Sequence, residues 1–200
     1  LVNIDRDWVK HGDGRSLYIR PFVIGNEYAI QAVPSKNYKF MIICAPATLY
    51  YTKKLKVLVA DKFSRAASGG VGYAKAAGNY AGQFYPTRLA NDEGFDQVIW
   101  TDANEHNYLE EAGTMNIFFR INDTLITAPT TDTILDGVTR KSLIQIARDI
   151  GIDVEIKKLK VDELKNAAKN GSLKEIFGAG TAAVGSQINA CQHKGELFER

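Results

Sequence analysis

A glycine-rich stretch that holds a single lysine constrains this chain more than any other feature. It reads Gly69-Gly70-Val71-Gly72-Tyr73-Ala74-Lys75-Ala76-Ala77-Gly78-Asn79-Tyr80 and leads into a helix-like pattern. Glycine lacks a side chain and allows positive φ, so the backbone there can approach another group closely. A lysine shielded in such a turn can lose its proton and act as an amine nucleophile toward an aldehyde cofactor. The alternative is an ordinary surface lysine at a helix start.

The spacing around this lysine excludes a phosphate-binding P-loop. That motif requires Gly-Lys-Ser/Thr after four free positions. Here Ala74 precedes Lys75 and Ala76 follows it. Amine chemistry and a plain surface lysine therefore remain as the two interpretations.

The composition predicts a soluble globular protein without nucleic-acid or membrane partners. Of the 200 residues, 45% are hydrophobic and 24% are charged, and the net charge of +2 is too small to indicate nucleic-acid binding. The apolar runs fall short of the ~20 residues of a membrane span. Cys44 and Cys191 form neither a Cys-x-x-Cys pair nor a disulfide framework, which suits a reducing cytoplasm. We expect a cytoplasmic protein without a metal.

Strand patterns outnumber helix patterns along the chain, and several strands are joined by short turns. This mixture favours the α+β class over a doubly wound α/β fold. The run from Tyr38 to Ala45 is almost continuously apolar, as in a buried strand, and the helix from 78 to 91 is expected to carry Tyr80, Phe84 and Leu89 inward. Strands are predicted at 1–4, 16–24, 38–45, 56–60, 97–101, 107–111, 115–121, 124–127, 154–159, 175–177 and 195–200. Helices are predicted at 78–91, 139–150 and 161–170.

Three further stretches could carry chemistry. Glu110 and Glu111 lie beside a glycine between two predicted strands, where a carboxylate could hydrogen-bond a ring nitrogen. The run from Ile134 to Arg140 leads into a helix whose first N–H groups could bind phosphate, and the Thr139 hydroxyl adds a donor. The run from Gly178 to Gly185 has one residue too many for a dinucleotide fingerprint but leaves an anion site open.

Each stretch also has an ordinary structural interpretation. The acidic pair could be a solvated surface pair, and Asp136 or Thr139 could simply cap the helix that follows. On the predicted strand from 16 to 24, Tyr18 and Arg20 share a face, where Arg20 could hold a carboxylate or could form a structural cross-strand pair.

Taken together, these motifs resemble the branched-chain amino acid aminotransferases, which are pyridoxal phosphate enzymes of fold type IV. The resemblance runs through nearly the whole chain. Five motifs occur in the family's order: 16–25, 75–80, 111–116, 134–140 and 177–182. The resemblance implies the mixed-sheet cofactor domain of the D-amino acid aminotransferase-like kind, with residues 1–27 as an inter-domain connection and 28–200 as the large cofactor-binding domain.

The resemblance also implies a role for individual residues. Lys75 would form the Schiff base with pyridoxal 5′-phosphate and move the proton, Tyr80 would hydrogen-bond the phenolic oxygen, and Glu111 rather than Glu110 would pair with the ring nitrogen. The phosphate group and its surroundings would be bound by Leu135, Gly137, Val138, Thr139 and Thr181. Substrate would be contacted by Tyr18, Arg20, Thr114, Thr181 and Ala182, with Arg20 meeting the second carboxylate of glutamate.

The implied reaction moves an amino group between leucine, isoleucine or valine and 2-oxoglutarate, and the implied assembly is a homodimer. D-amino acid aminotransferase and aminodeoxychorismate lyase share the lysine and the glutamate, and so remain alternatives. A non-catalytic cofactor-binding or dimer-forming fragment is the alternative from another class.

The chain departs from the family pattern in two respects. Ala183 and Ser186 occupy the places of a Cys-x-x-Cys pair that some members carry, so no thiol switch is expected. Both ends of the chain look cut, and the family's smaller N-terminal domain is not recognisable. We therefore expect this stretch on its own to bind the cofactor weakly or not at all and to transaminate leucine negligibly.

Overall fold

The computed structural model describes residues 2–9, 12–48, 53–182 and 185–200. The chain divides into two compact units, residues 1–50 and residues 51–200. The boundary expected after residue 27 falls inside the first unit, between two strands that pair with each other: β1 (Ser16–Gly25) and β2 (Tyr38–Ala47).

The first unit contains this antiparallel hairpin and a short helical N-terminal segment. The strand predicted at 1–4 is wrong: the described residues form helix α1 (Val2–Asp5), followed by a 3-10 turn (Arg6–Trp8), and Leu1 lies outside the described residues. A helical turn pairs its N–H and C=O groups locally, whereas an extended segment needs a partner strand. β2 is a strand as expected but is not buried, since Phe40 and Ile43 remain exposed on the two-stranded sheet.

The second unit is built on a mixed sheet of ten strands. The strands are β3 (Leu55–Val59), β4 (Gln97–Thr101), β5 (Tyr108–Ala112), β6 (Asn116–Ile121), β7 (Thr124–Thr127), β8 (Asp153–Ile156), β9 (Leu159–Lys160), β10 (Leu173–Ala179), β11 (Ser186–His193) and β12 (Glu196–Glu199). In the order of pairing the sheet reads β8-β7-β6-β10-β11-β3-β4-β5-β9, with β12 also paired to β11. The β11–β3, β3–β4 and β7–β8 pairs are parallel, and the remaining pairs are antiparallel.

The two ends of this pairing order are consecutive in sequence. The single strand predicted at 154–159 is two strands: β8 pairs with β7, and β9 pairs with β5. Only Lys157 and Lys158 separate them. The sheet therefore curls back on itself, and the predicted α+β class is confirmed.

Three helices cover the sheet: α2 (Ala77–Asp92), α3 (Val138–Asp149) and α4 (Val161–Lys169). Successive strand residues face opposite sides, so Val57 and Val59 enter a core shared with α4, whereas Leu58 packs in the cluster under α2. α3 covers a third cluster around Phe118. Phe84 does not point inward as expected: it is exposed, and the buried residues of α2 are Gln83, Pro86 and Ala90. In the part of the chain that the structure describes, no helix has both the length and the apolar character needed to cross a membrane.

Candidate active site

Lys75 lies directly before helix α2 and contacts the first turn of that helix. Its Nζ donates a hydrogen bond to Tyr80 Oη and lies 4.8 Å from the centroid of the Tyr80 ring. Lys75 is exposed, and Tyr80 is half-buried. The five-residue spacing seen in the sequence therefore brings the amine and the phenol together.

Asn79 ties the glycine-rich segment to the start of α2. Its Nδ2 donates to the carbonyl oxygens of Val71 and Ala74, each at 2.8 Å. One turn further along, Gln83 Nε2 donates to the Asn79 carbonyl at 2.6 Å. The residues immediately before Lys75 are thus fixed to the helix that carries Tyr80.

Glu111 is a buried carboxylate on β5 with three donors around it. Arg65 Nη2 lies 2.6 Å from Glu111 Oε1, and both side chains are only 6% exposed. The Leu135 N–H donates to the same oxygen at 3.2 Å, and Asn116 Nδ2 donates to Oε2 at 2.9 Å. These donors fix the carboxylate in position at the end of the strand.

Burial raises the pKa of Glu111 to about 7, and the positive charges of Arg65 and Lys75 oppose that rise without cancelling it. The ion pair with Arg65 therefore does not fully compensate the loss of water around the carboxylate. Any additional cation that comes to lie against Glu111 would therefore stabilise the ionised form of its carboxylate.

Glu110 points into a different environment from Glu111. It is half-buried, and its Oε1 accepts a hydrogen bond from Thr133 Oγ1 at 2.7 Å. Burial raises the pKa of Glu110, and the Thr133 hydroxyl opposes that rise. The two neighbouring carboxylates thus have separate partners, in accord with the alternation of side chains along a strand.

The N-terminus of α3 lies next to Glu111. Gly137 is the N-cap residue, and among the described residues no side chain caps this helix end. The alternative interpretation, a cap by Asp136 or Thr139, is therefore wrong, and Asp136 forms an ion pair with Lys141 instead. Asn116 Nδ2 donates to the Leu135 carbonyl at 2.9 Å, so one amide joins Glu111 to the residues before the helix.

The remaining residues at this helix end differ in exposure. Val138 is exposed, Thr139 is half-buried, and Arg140 is only 4% exposed. Arg140 Nη2 donates to the Ala128 carbonyl at 2.8 Å, whereas its Nε has no hydrogen-bond partner in the described structure. Burial lowers the pKa of Arg140. The first turn of α3 therefore combines uncapped N–H groups with a buried cation.

Pairing of β10 with β6 brings the loop after β10 close to Asn116 and to the residues just before β6. Ala179 is paired with Asn116, and a Cβ on Gly180 would lie 3.0 Å from the Thr114 carbonyl oxygen. Thr114, Thr181 and Ala182 are all exposed. Ala183, named above as one place of the missing thiol pair, lies outside the described residues.

Tyr18 and Arg20 are neighbours on β1 of the first unit. Arg20 Nη2 donates to Tyr18 Oη at 2.7 Å, and the guanidinium lies 5.0 Å from the centroid of the Tyr18 ring. The structure thus groups these two residues with each other, and separately groups the predicted site residues of the second unit.

Sequence reasoning missed several residues that organise the site. Arg65 is the main one, because only the folded chain shows that it reaches the carboxylate of Glu111. The only available signal was its position, ten residues before Lys75 in the connection between β3 and α2. The other missed residues make hydrogen bonds to site segments: Asn79, Asn116, Asp132 and Thr133.

Comparison with known proteins gives a consistent result. The model of the class IV aminotransferase family matches residues 3–191. A probable branched-chain-amino-acid aminotransferase of Staphylococcus epidermidis is 46% identical over 198 residues, which cover 97% of this chain and 55% of that protein. Branched-chain-amino-acid transaminase 1 of Bacillus subtilis is 47% identical over 188 residues, which cover 92% of this chain and 53% of that protein.

Solved structures show the same similarity. The branched-chain aminotransferase of Thermoproteus uzoniensis with norvaline aligns with a TM-score of 0.75 at 27% identity, covering 92% of this chain and 59% of that one. The chain spans about half the length of the curated relatives it matches. Because the family model extends over nearly the entire chain, this protein belongs to the class IV aminotransferase family.

Proposed function

We propose that this protein is a pyridoxal phosphate-dependent aminotransferase. It transfers the amino group between branched-chain L-amino acids (leucine, isoleucine and valine) and 2-oxoglutarate. The observation that carries the proposal is the grouping of an exposed amine, Lys75, with a buried carboxylate, Glu111, and an uncapped helix end in a chain 46% identical to a probable branched-chain-amino-acid aminotransferase.

The residues present fit this cofactor. Glu111 has a pKa of about 7 because burial outweighs its donors, so a protonated ring nitrogen would supply the positive charge that the site lacks. The first N–H groups of α3 have no side-chain acceptor in the described structure and suit a phosphate. Leu135 and Asn116 join the two places by hydrogen bonds.

When bound, pyridoxal phosphate supplies an aldehyde for the amine and a ring that accepts the electrons released at the substrate Cα. Lys75 would hold the aldehyde through its amine and would then move the proton at the substrate Cα. Tyr80, which contacts Lys75 Nζ, would orient the amine and offer a donor to the phenolic oxygen. Glu111 would keep the ring nitrogen protonated.

The phosphate and its surroundings are assigned to the residues at the start of α3 and to the loop after β10. The helix end supplies N–H donors and the positive end of its dipole. Thr181 is exposed in the loop after β10, and its hydroxyl would add a further donor. The residues in this assignment are Leu135, Gly137, Val138, Thr139 and Thr181.

Substrate recognition is assigned to two groups of residues. Thr181 and Ala182 follow Gly180, whose backbone lies against the Thr114 carbonyl, and the backbone and hydroxyl groups of these three residues suit an α-carboxylate. Tyr18 and Arg20 form a second group, in which the guanidinium can pair with the distal carboxylate of glutamate. We further propose that the protein is a cytoplasmic homodimer.

The test is leucine-dependent formation of glutamate from 2-oxoglutarate by a full-length form of the protein with added pyridoxal phosphate. We expect turnover with leucine, isoleucine and valine that disappears when the cofactor is omitted. Turnover with D-alanine but not with leucine would replace the proposal by D-amino acid aminotransfer. Pyruvate release from aminodeoxychorismate, without turnover of leucine, would replace it by the lyase reaction.

A further inference from the structure

The segment between β7 and α3 holds the glycine-rich segment by several hydrogen bonds. Asp132 Oδ2 accepts hydrogen bonds from the Gly69 N–H and from Ser68 Oγ, the latter at 3.2 Å. The Asp132 carbonyl accepts one from the Tyr73 N–H at 3.0 Å. A single residue therefore contacts both the beginning and the end of the turn that leads to Lys75.

The glycines of the turn allow this close approach. Gly69 has a φ of +78°, a conformation that residues with a side chain rarely adopt. Gly72 is buried, and a Cβ there would lie 2.8 Å from the Thr133 carbonyl oxygen and 2.6 Å from Ala66 Cβ. Any side chain at Gly72 would push the turn away from the segment that holds it.

The same segment also holds the acidic residues of the site. Thr133 Oγ1 donates to Glu110, and the Thr133 carbonyl accepts a hydrogen bond from the Arg65 guanidinium that pairs with Glu111. Two residues later, the Leu135 N–H donates to Glu111 itself. The position of the lysine turn and the position of the buried carboxylate are thus set by one short stretch of backbone.

The charge of Asp132 suits this role. The Gly69 backbone N–H and the Ser68 hydroxyl lower the pKa of Asp132, so the carboxylate is ionised and accepts both hydrogen bonds at neutral pH.

We propose that Asp132 is a positioning residue that fixes Lys75 relative to Glu111 by holding the turn at Gly69. The proposal rests on the function proposed above only in naming Lys75 as the reacting amine. Asp132 is not among the residues assigned above to the cofactor or the substrate, and it acts through the turn.

The test compares Asp132→Ala, Asp132→Asn and a control, Asp96→Ala. Asparagine retains an oxygen that can accept the Gly69 N–H, whereas alanine retains none. Asp96 is a matched control because its carboxylate likewise accepts a backbone N–H, from Lys56 at 2.9 Å, but at the beginning of β3 rather than in the lysine turn. Removing it tests the loss of a carboxylate-to-backbone contact elsewhere in the fold, together with the ion pair that Asp96 forms with Lys53 at 2.6 Å.

Two measurements are made on each variant of a full-length form of the protein, with pyridoxal phosphate added for the kinetic one. The first is hydrogen exchange of the peptide 66–75 in the cofactor-free protein, where we expect about tenfold faster exchange in Asp132→Ala. The second is kcat and KM for leucine, where we expect kcat to fall about tenfold in Asp132→Ala with a smaller change in KM, because the amine is displaced rather than the substrate site. Asp132→Asn and Asp96→Ala are expected to stay close to the wild type in both.

Unchanged exchange of 66–75 in Asp132→Ala overturns the proposal, as does an Asn variant as impaired as the Ala variant. Equal loss of kcat in Asp96→Ala also overturns it, since the effect would then be general destabilisation. If the wild type does not turn over leucine but the order of exchange rates is as expected, the positioning role of Asp132 is supported and the proposed function is rejected.

Discussion

At the scale of single residues, the electrostatics of the candidate site centre on Glu111. Its carboxylate is buried against Arg65 and two hydrogen-bond donors, yet its pKa lies at about 7. A buried pair of this kind gains Coulomb energy but loses hydration, and for Glu111 the loss of hydration is the larger effect. Glu111 is therefore poised to change protonation when a further cation binds.

Replacing Glu111 by glutamine should slow the proposed transamination severely while keeping some cofactor binding. A neutral amide cannot stabilise a protonated ring nitrogen, so we expect a loss of kcat of about 10² or more. Glu110→Gln is the matched neighbour: its amide oxygen can still accept the Thr133 hydroxyl, and little loss is expected. The measurement is the steady-state kcat with leucine. Equal losses of kcat in the two variants would show that choosing Glu111 over Glu110 is wrong.

The stability of the cofactor-free protein should depend on pH through Glu111. The folded-state pKa of about 7 exceeds the ordinary value of 4.5, so the folded state binds this proton more tightly than the unfolded state. Its stabilising contribution is full below pH 4.5 and is lost as the pH rises through 7. Between pH 5 and pH 8 the wild type should lose about 2 kcal/mol of unfolding free energy relative to Glu111→Gln.

Urea unfolding of both proteins at the two pH values measures this difference. A constant difference between pH 5 and pH 8 would show that Glu111 titrates at its ordinary pKa in the folded protein.

At the scale of elements, the start of α3 matters most because it is part of the proposed phosphate site and also lies next to the carboxylate of Glu111. Gly137 is the N-cap, and a Cβ there would overlap Asn116 Oδ1. The amide of Asn116 donates to Glu111 and to the Leu135 carbonyl. A side chain at Gly137 would therefore disturb the helix end and the carboxylate together.

Gly137→Ala should destabilise the protein by about 1–3 kcal/mol, since the asparagine must move to make room. It should also weaken cofactor binding. The control is Gly82→Ala in α2, where nothing lies within 4 Å of the added Cβ and alanine should stabilise the helix by about 1 kcal/mol. Opposite shifts of the urea midpoint are expected, and a shift of the same sign in both variants would contradict this account of the helix end.

Most elements of the second unit could be predicted from the sequence because their patterns are local. β4 and β7 were predicted with their observed bounds, since short apolar runs between turn residues are typical of strands. The outward position of Phe84 could not be predicted, because the face of α2 that is buried depends on which strands pack beneath it. The separation of β8 from β9 likewise depends on closure of the sheet.

The candidate site was predictable where its residues lie in continuous motifs. Lys75 and Tyr80 are close in sequence and close in the fold, and Glu111 lies in the continuous motif 111–116. Arg65 and Asp132 were missed because their partners come from other segments, and a single arginine or aspartate in a connection carries no pattern. The capping role expected for Asp136 or Thr139 was wrong because Gly137 takes the N-cap position.

At the scale of the whole molecule, the hydrophobic core lies in the second unit. In the described parts of the chain, every buried hydrophobic side chain falls between Leu55 and Phe198. The first unit exposes large apolar side chains on its hairpin instead. The stability of the sheet and its helices should therefore come from residues after the unit boundary.

Residues 53–200 expressed alone should unfold in one cooperative transition. Their three hydrophobic clusters are complete without the first unit, and cooperative unfolding is normal for single domains of this size. Thermal unfolding followed by circular dichroism tests this expectation. A broad, non-cooperative transition would show that the second unit needs the first.

The central claim is that Lys75 is the amine that binds pyridoxal phosphate and that the site then transfers amino groups. The most direct measurement is the visible absorption spectrum of a full-length form with the cofactor, before and after leucine, in the wild type, Lys75→Ala and a control, Lys62→Ala. Lys62 is exposed and lies, like Lys75, in the connection between β3 and α2. We predict a visible band that changes with leucine in the wild type and in the control, and in Lys75→Ala neither that band before leucine is added nor glutamate formation. Glutamate formation in Lys75→Ala, or the wild-type band before leucine is added, would contradict the account.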